Sequence, residues 1–151
     1  LAAAGTVNLV KTVPDGLSPG SDVAILSLMG FDPGLYYTGR APIEAAGAGL
    51  DMSEDDVAFR CNLISTRDGL IADHSADHIT TGEARPYVEE LNRVFARAGL
   101  RFHVSSGYRH LLIWRNGPAG VKTTPPHDVL GQPALNNQPS GPRSPISVNG
   151  V

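Results

Sequence analysis

The sequence predicts an α/β protein of the α+β type: an antiparallel four-stranded sheet in chain order β-β-α-β-β, covered by one helix and preceded by a strand-loop-helix segment. Three observations carry that expectation. Residues 57–66 alternate apolar and polar side chains, the period of a strand with one buried face. Ala84, Val88, Leu91, Phe95 and Ala98 recur at helical spacing. Residues 14–20, PDGLSPG, are turn chemistry running directly into Ser21 and Asp22, a pair suited to open a helix.

The opening LAAAG reads as the last turn of a helix closed by Gly5, and residues 6–13 read as a strand. After the turn, Val23, Leu26, Leu28 and Met29 have the spacing of a short buried helix. Ser21 is thus placed at or beside its N-cap, where backbone N–H groups and the positive end of the dipole would hold a phosphoryl group next to the hydroxyl. Serine is also a favoured cap for stability alone. In 57–66, Val57, Phe59, Cys61 and Leu63 share one face, and Arg60, Asn62 and Ile64 the other. A turn at 67–69 leads into 70–75, so the two runs form a hairpin. Thr80 and Glu83 are spaced as a capping box, and Gly99 is a C-terminal stop. Pro86 removes a backbone donor, so the helix is expected to start later or to have a distorted first turn. Residues 101–105 and 107–114 complete the sheet, and there is no internal repeat.

Composition sets bounds on function. A chain of 151 residues, 41% apolar and 18% charged, has material for one ordinary core. The net charge of −3, with neither a basic run nor a long apolar run, argues against a nucleic-acid or membrane partner. Cys61 is the lone cysteine and can form no intrachain disulfide; with no secretory-type opening, a cytoplasmic setting is expected. Ten of the twelve basic residues are Arg, a bias that suits bidentate recognition of phosphate and carboxylate.

Several separated motifs then occur in one order: GSDVA, LSLMGFDP, YYTGRAPIEAAGAG, DVAFRCNL, DHSADHIT, YRHLL and TTPPHDVLGQP. Together they resemble the archaeal-type 2,3-bisphosphoglycerate-independent phosphoglycerate mutases of the alkaline phosphatase superfamily, from about the first residues to Pro133. One departure is plain: the family usually has Asn after GSDVA, and Ile25 stands here. The resemblance implies an organisation. Residues 1–40 would be part of the phosphatase core with the nucleophile loop, 41–133 the inserted cap domain, and 134–151 a flexible tail or hinge to core segments before and after this stretch. It also implies a cytoplasmic isomerase that interconverts 3- and 2-phosphoglycerate through a phosphoserine, using two divalent ions, Mn²⁺ or Mg²⁺. Ser21 matches the family's nucleophile and metal-bound serine; the other ligands are expected outside this chain, so no metal is expected to bind the chain tightly by itself.

The resemblance also directs attention to the anion-binding residues. Arg40, Arg60 and Arg109 lie in the shared motifs, and a dianionic phosphate with a carboxylate needs several fixed donors. Each has an ordinary alternative as a surface ion pair or a packed stem. Asn62 shares a face with Arg60 and would orient a glycerate oxygen or bond a nearby loop. His78 would bond substrate or order its loop. Arg109 and His110 must point to opposite faces, so only one can face a cleft. Asp22 reads as a dipole partner rather than a base. Arg67, Arg85, Arg93 and Arg97 are assigned to solvent. The pairs Asp73-His74, Asp77-His78 and His127-Asp128 match no standard metal spacing, and His127, after two prolines, reads as a hinge. Two other readings stay open: a non-catalytic binding or structural module, and a related phosphatase or phosphonate-metabolism enzyme. A cap face that excludes water favours the mutase over hydrolysis.

Overall fold

The structure is a computed structural model that describes residues 4–95 and 99–142. The chain divides into two compact units, 1–40 and 41–151. The helical positions Ala98 and Arg97 lie outside the described residues, as do residues 1–3 of the LAAAG turn and 143–151 of the tail.

In the first unit, helix α1 (Ser21–Leu28) follows Gly20 directly and buries Val23. It closes through Gly30 N–H to Ser27 O and Phe31 N–H to Leu26 O, the paired bonds that satisfy orphan carbonyls at a helix end. Helix α2 (Pro33–Tyr36) has Pro33 in its first turn and Asp32 as cap, its carboxylate accepting from Gly34 N–H at 2.8 Å. The strand expected over 6–13 is absent. Strands exist only where a neighbour takes their N–H and C=O groups, and no strand among the described residues pairs with this stretch; Val7, Leu9 and Val10 are exposed.

The second unit is built on three antiparallel strands in the order β1 (Val57–Asn62), β5 (Arg109–Trp114), β4 (Leu100–Ser106). The central strand β5 is buried from His110 to Trp114. Its register places Phe59 and Phe102 on either side of Leu112, and Arg60 and His103 on either side of Leu111. The alternation read over 57–66 therefore sorts correctly into faces as far as Asn62. One face packs under helix α4 (Thr81–Phe95), where Val88, Leu100, Phe102, Leu112 and Trp114 form a cluster joined by Phe59, Cys61 and Leu91. The other is covered by helix α3 (Arg40–Gly47), whose Ala41 and Ala45 pack on Leu111 and Ile113 with Ala58, Leu50 and Met52. Each fully buried Leu, Val or Ile of these layers contributes roughly 1.5–3 kcal/mol. Asn92 locks α4 to the edge strand, donating to Phe102 O at 2.7 Å and accepting from Phe102 N–H at 2.8 Å.

Two expectations are corrected here. The sheet does not have four strands: the alternating run breaks after Asn62, and β2 (Ser65–Arg67) pairs with β3 (Leu70–Asp73) as a separate two-stranded ribbon with a bulge at Ser65/Thr66. The reason is a long-range partner. The outer edge of β3 is satisfied by the chain at 131–134, with Ile71 N–H to Gln132 O, Gly131 N–H to Ile71 O, and Ala134 N–H to Gly69 O. The second correction concerns Pro86, which neither delays nor deforms the start of α4. Thr80 N–H donates to Glu83 Oε2 at 2.9 Å and Glu83 N–H to Thr80 Oγ1 at 3.3 Å, so the capping box fixes the start at Thr81. Pro86 leaves only the Gly82 carbonyl without its helical donor, and Gly82 and Pro86 are both exposed, so that carbonyl is open to solvent. Past the ribbon, a short turn at Ala134–Asn137 and a bridge between Lys122 and Ser140 extend the ordered path to the end of the described chain.

Candidate functional site

The predicted site residues fall into two groups, one in each unit. In the first, Gly20 is the N-cap of α1 and no side chain caps it, so Ser21 is the first helical residue and its exposed hydroxyl caps nothing. Asp22 folds back over Gly20; a Cβ there would sit 2.3 Å from its Oδ1, so a larger residue at that position would make the carboxylate swing away. Its other oxygen accepts from the Tyr37 hydroxyl at 2.5 Å. That bond is the main cause holding the Asp22 carboxyl below its ordinary value, helped by the N–H groups of Val23 and Asp22 itself and by the charge of Arg40, against burial. Burial and then the Asp22 partner push the Tyr37 hydroxyl up to about 12, while Arg40 pulls it down. Arg40 thus lies within electrostatic reach of both groups. Ile25 sits one turn after Ser21, on the same side of α1, and is 53% exposed. The aspartate is a partner of the helix N-terminus, as its position suggests, and also of a tyrosine two elements away, which spacing did not reveal.

The second group lies on the α3 side of the sheet. Arg60 Nε is 3.3 Å from Glu44 Oε2, close enough for an ion pair but too bent for a hydrogen bond, and this buried N–H has no other acceptor among the described residues. Asn62 stands directly opposite Arg109 in the ladder, and its buried Oδ1 has no donor among the described residues. His103 shares this face. Its imidazole is pushed below its ordinary value by burial first, then by Arg115 and Arg101, so the local field is positive. Arg109 is exposed and lies over the Tyr108 ring, 4.7 Å from its centroid.

His110 points to the α4 side, is 2% exposed, and its Nδ1 accepts from Ser105 N–H at 3.2 Å. Burial pushes its pKa down, so it stays neutral with the proton on Nε2. The Arg109/His110 alternation therefore resolves in favour of the arginine as the exposed member. Cys61, opposite His110, is pushed up to about 11 by burial and is chemically quiet at neutral pH.

His78 is exposed on a strained loop. Ala76, Asp77 and His78 have φ of +49°, +56° and +56°, three successive left-handed residues. Asp73 holds them: its carboxylate accepts from Ser75 N–H at 2.9 Å, from Ser75 Oγ–H, and from Asp77 N–H at 2.6 Å, while buried Ser75 Oγ accepts from His78 N–H at 3.3 Å. His74, next to this loop, makes edge contacts with the Tyr108 ring at 5.9 Å and the His127 ring at 6.1 Å. Sequence reading missed Tyr37, Tyr108, Asp73 and Ser75 as organisers, although the first two stand inside the motifs YYTGR and YRH.

A cavity of about 360 Å³ opens on the α4 side, lined by Phe59, Cys61, Leu91, Phe102, Trp114 and Val121 among others. Its wall is almost wholly apolar; of the candidate residues Arg60 alone contributes to it, and Asn62, His78 and Arg109 do not line it. Nor do the described residues contain a group of three or more His, Cys, Asp or Glu able to hold a metal ion. Among the described residues the donor set does not fit a two-metal centre.

The family model described as 2,3-bisphosphoglycerate-independent phosphoglycerate mutase matches residues 2–148. A probable 2,3-bisphosphoglycerate-independent phosphoglycerate mutase of Geobacter sulfurreducens is 46% identical over 145 residues, and the enzyme of that name from Methanosarcina barkeri is 48% identical over 142; both alignments cover 93% of this chain. The chain spans 36% of the length of each. A solved structure, the cofactor-independent phosphoglycerate mutase from Thermoplasma acidophilum, superposes with a TM-score of 0.51 at 33% identity, covering 83% of this chain and 34% of that one. On its matched residues and its relatives alike, the chain belongs to the 2,3-bisphosphoglycerate-independent phosphoglycerate mutase family.

Proposed function

We propose that the protein carrying this chain interconverts 3-phosphoglycerate and 2-phosphoglycerate through a phosphoserine formed on Ser21. The observation that carries this is the placement of Ser21: first residue of α1, exposed, and relieved of capping by Gly20. A hydroxyl with a structural job at a cap would be bonded back to its own helix, whereas this one caps nothing and stands exposed at the first helical residue. Ser21 Oγ would bond to phosphorus as the substrate's C3 oxygen leaves, and the C2 oxygen of the reoriented glycerate would take the phosphoryl group back. Arg40, close to the Asp22/Tyr37 pair, would add positive charge on that side.

Arg60, Asn62 and Arg109 share one sheet face, with two cations and an amide to meet a phosphate and a carboxylate. His78 would add a donor from the adjoining loop. The family's two divalent ions would supply nucleophile activation and neutralise phosphate charge in the complete protein, with ligands beyond those in this chain.

The test is enolase-coupled conversion of 3-phosphoglycerate with Mn²⁺, run on the 151-residue chain and on the complete protein. Turnover only by the complete protein supports the reading. Turnover by neither sinks it and turns attention to hydrolysis of the phosphoserine. A second reading, that the chain by itself is a binding module, is favoured by the absence of a three-donor metal cluster among the described residues; direct titration of the chain with Mn²⁺ checks it.

A further inference from the structure

We propose that Tyr108 is a positioning residue for Arg109: its ring is the platform that holds the guanidinium where the substrate's anionic groups arrive. This rests on the reading that Arg109 meets phosphoglycerate. Neighbours in a strand point to opposite faces, so a Tyr-Arg pair within β5 could not stack. The pair stacks here because Tyr108 precedes β5, in a turn where Gly107 has φ +57°. That turn is pinned. Gly107 N–H donates to Thr81 Oγ1 at 2.9 Å, and a Cβ at Gly107 would lie 3.2 Å from Ile79 O, so no larger residue fits the approach without displacing the 79–81 backbone. Leu63 N–H donates to Tyr108 O at 2.8 Å, fixing the tyrosine backbone to the continuation of β1.

The ring itself is half-buried and meets the edge of His74, which in turn meets His127 of the Pro125-Pro126 segment. The platform is therefore immobilised from below by the 73–78 loop and the 126–128 turn, while the arginine above it stays exposed. An exposed arginine on an ordinary strand would spread over many rotamers; one stacked on a fixed ring loses less freedom when an anion binds. The role is distinct from that of Arg60, whose guanidinium lies against Glu44 rather than against a ring.

The experiment uses the complete protein with Tyr108→Leu, Tyr108→Phe and Arg109→Ala, reading KM for 3-phosphoglycerate, kcat and melting temperature for each. Tyr108→Leu, which removes the π face, is expected to raise KM by roughly two- to fivefold with kcat little changed, and Tyr108→Phe, which keeps the face, to retain the parent KM. Arg109→Ala is expected to raise KM by about tenfold or more. If Leu and Phe give the same KM, or if Leu lowers only the melting temperature, the platform role is overturned while the arginine's role stands. If Arg109→Ala leaves KM unchanged, the substrate assignment of Arg109 fails first, and the positioning role fails with it.

Discussion

The Tyr37 hydroxyl donates to Asp22 Oδ2 at 2.5 Å, tying the first turn of α1 to the residue that follows α2. The two groups shift in opposite directions: Asp22 goes down chiefly because the Tyr37 hydroxyl donates to it, and Tyr37 goes up to about 12 chiefly through burial and then through that same bond. The sign of each contribution follows. Asp22, depressed below 3.8, adds stability that is present above that value and is lost as pH falls through its lowered pKa. Tyr37, raised from 10.0, adds stability that is full below 10.0 and is lost as pH rises toward about 12. Among the four tyrosines, phenolate absorbance should show one group titrating near 12, and Tyr37→Phe should delete that component. A titration with no late group would remove the bond.

Ser21→Ala tests the nucleophile. The hydroxyl is exposed and makes no cap bond, so its loss should change stability by no more than about 0.5 kcal/mol. In the complete protein the same change should lower kcat by at least about a thousandfold, as expected for the atom that carries the covalent intermediate. Near-normal turnover would exclude Ser21 from that role. Phosphate transfer to the parent protein but not to the variant, followed by mass spectrometry of the intact chain, reads the same point without steady-state kinetics.

The sequence made some elements legible because their causes are local. Thr80 and Glu83 specify a cap through atoms three residues apart, and the alternation of Phe59, Arg60, Cys61 and Asn62 assigns faces by period alone. What stayed hidden depends on partners far along the chain. Ile71 takes its hydrogen bonds from Gly131 and Gln132, some 60 residues on, and that pairing, not the 67–69 turn, decides that β2 and β3 leave the sheet. Residues 6–13 have strand-forming side chains, but side-chain preference cannot supply the neighbour a ladder needs. The site divides the same way. Ser21, Arg40, Arg60, Asn62, His78 and Arg109 stood out by residue type and motif, whereas Tyr37 and Tyr108 matter through what they touch.

Arg60 separates binding from folding. Its ion pair with Glu44 is part-exposed, so its net contribution to stability is about 1 kcal/mol or less. Arg60→Ala in the complete protein should therefore shift the melting temperature by only a few degrees while raising KM for 3-phosphoglycerate on the order of tenfold. Arg60→Lys should recover charge but not the fork geometry, and so only part of the affinity. A loss of stability as large as the loss of activity would assign the residue to the ion pair alone.

The loop that carries His78 makes a sharper test, because its two opposing terms can be changed independently. Three left-handed residues in succession cost about 1–2 kcal/mol each for side chains with a Cβ, and the bonds to Asp73 and Ser75 offset that cost. Ala76→Gly removes one increment of strain without touching a hydrogen bond, and should stabilise the protein by about 0.5–1 kcal/mol in denaturant unfolding. Asp73→Ala removes the acceptor of Ser75 and Asp77 and should destabilise the protein in the same assay. The Asp73 carboxyl is held below its ordinary value chiefly by the Ser75 and Asp77 N–H groups, so the stabilisation it supplies is present above 3.8 and lost as pH falls through its lowered pKa. The Asp73→Ala variant should therefore lose less stability on acidification than the parent. If Ala76→Gly destabilises the protein instead, the left-handed backbone at Ala76 is not a source of strain in this loop.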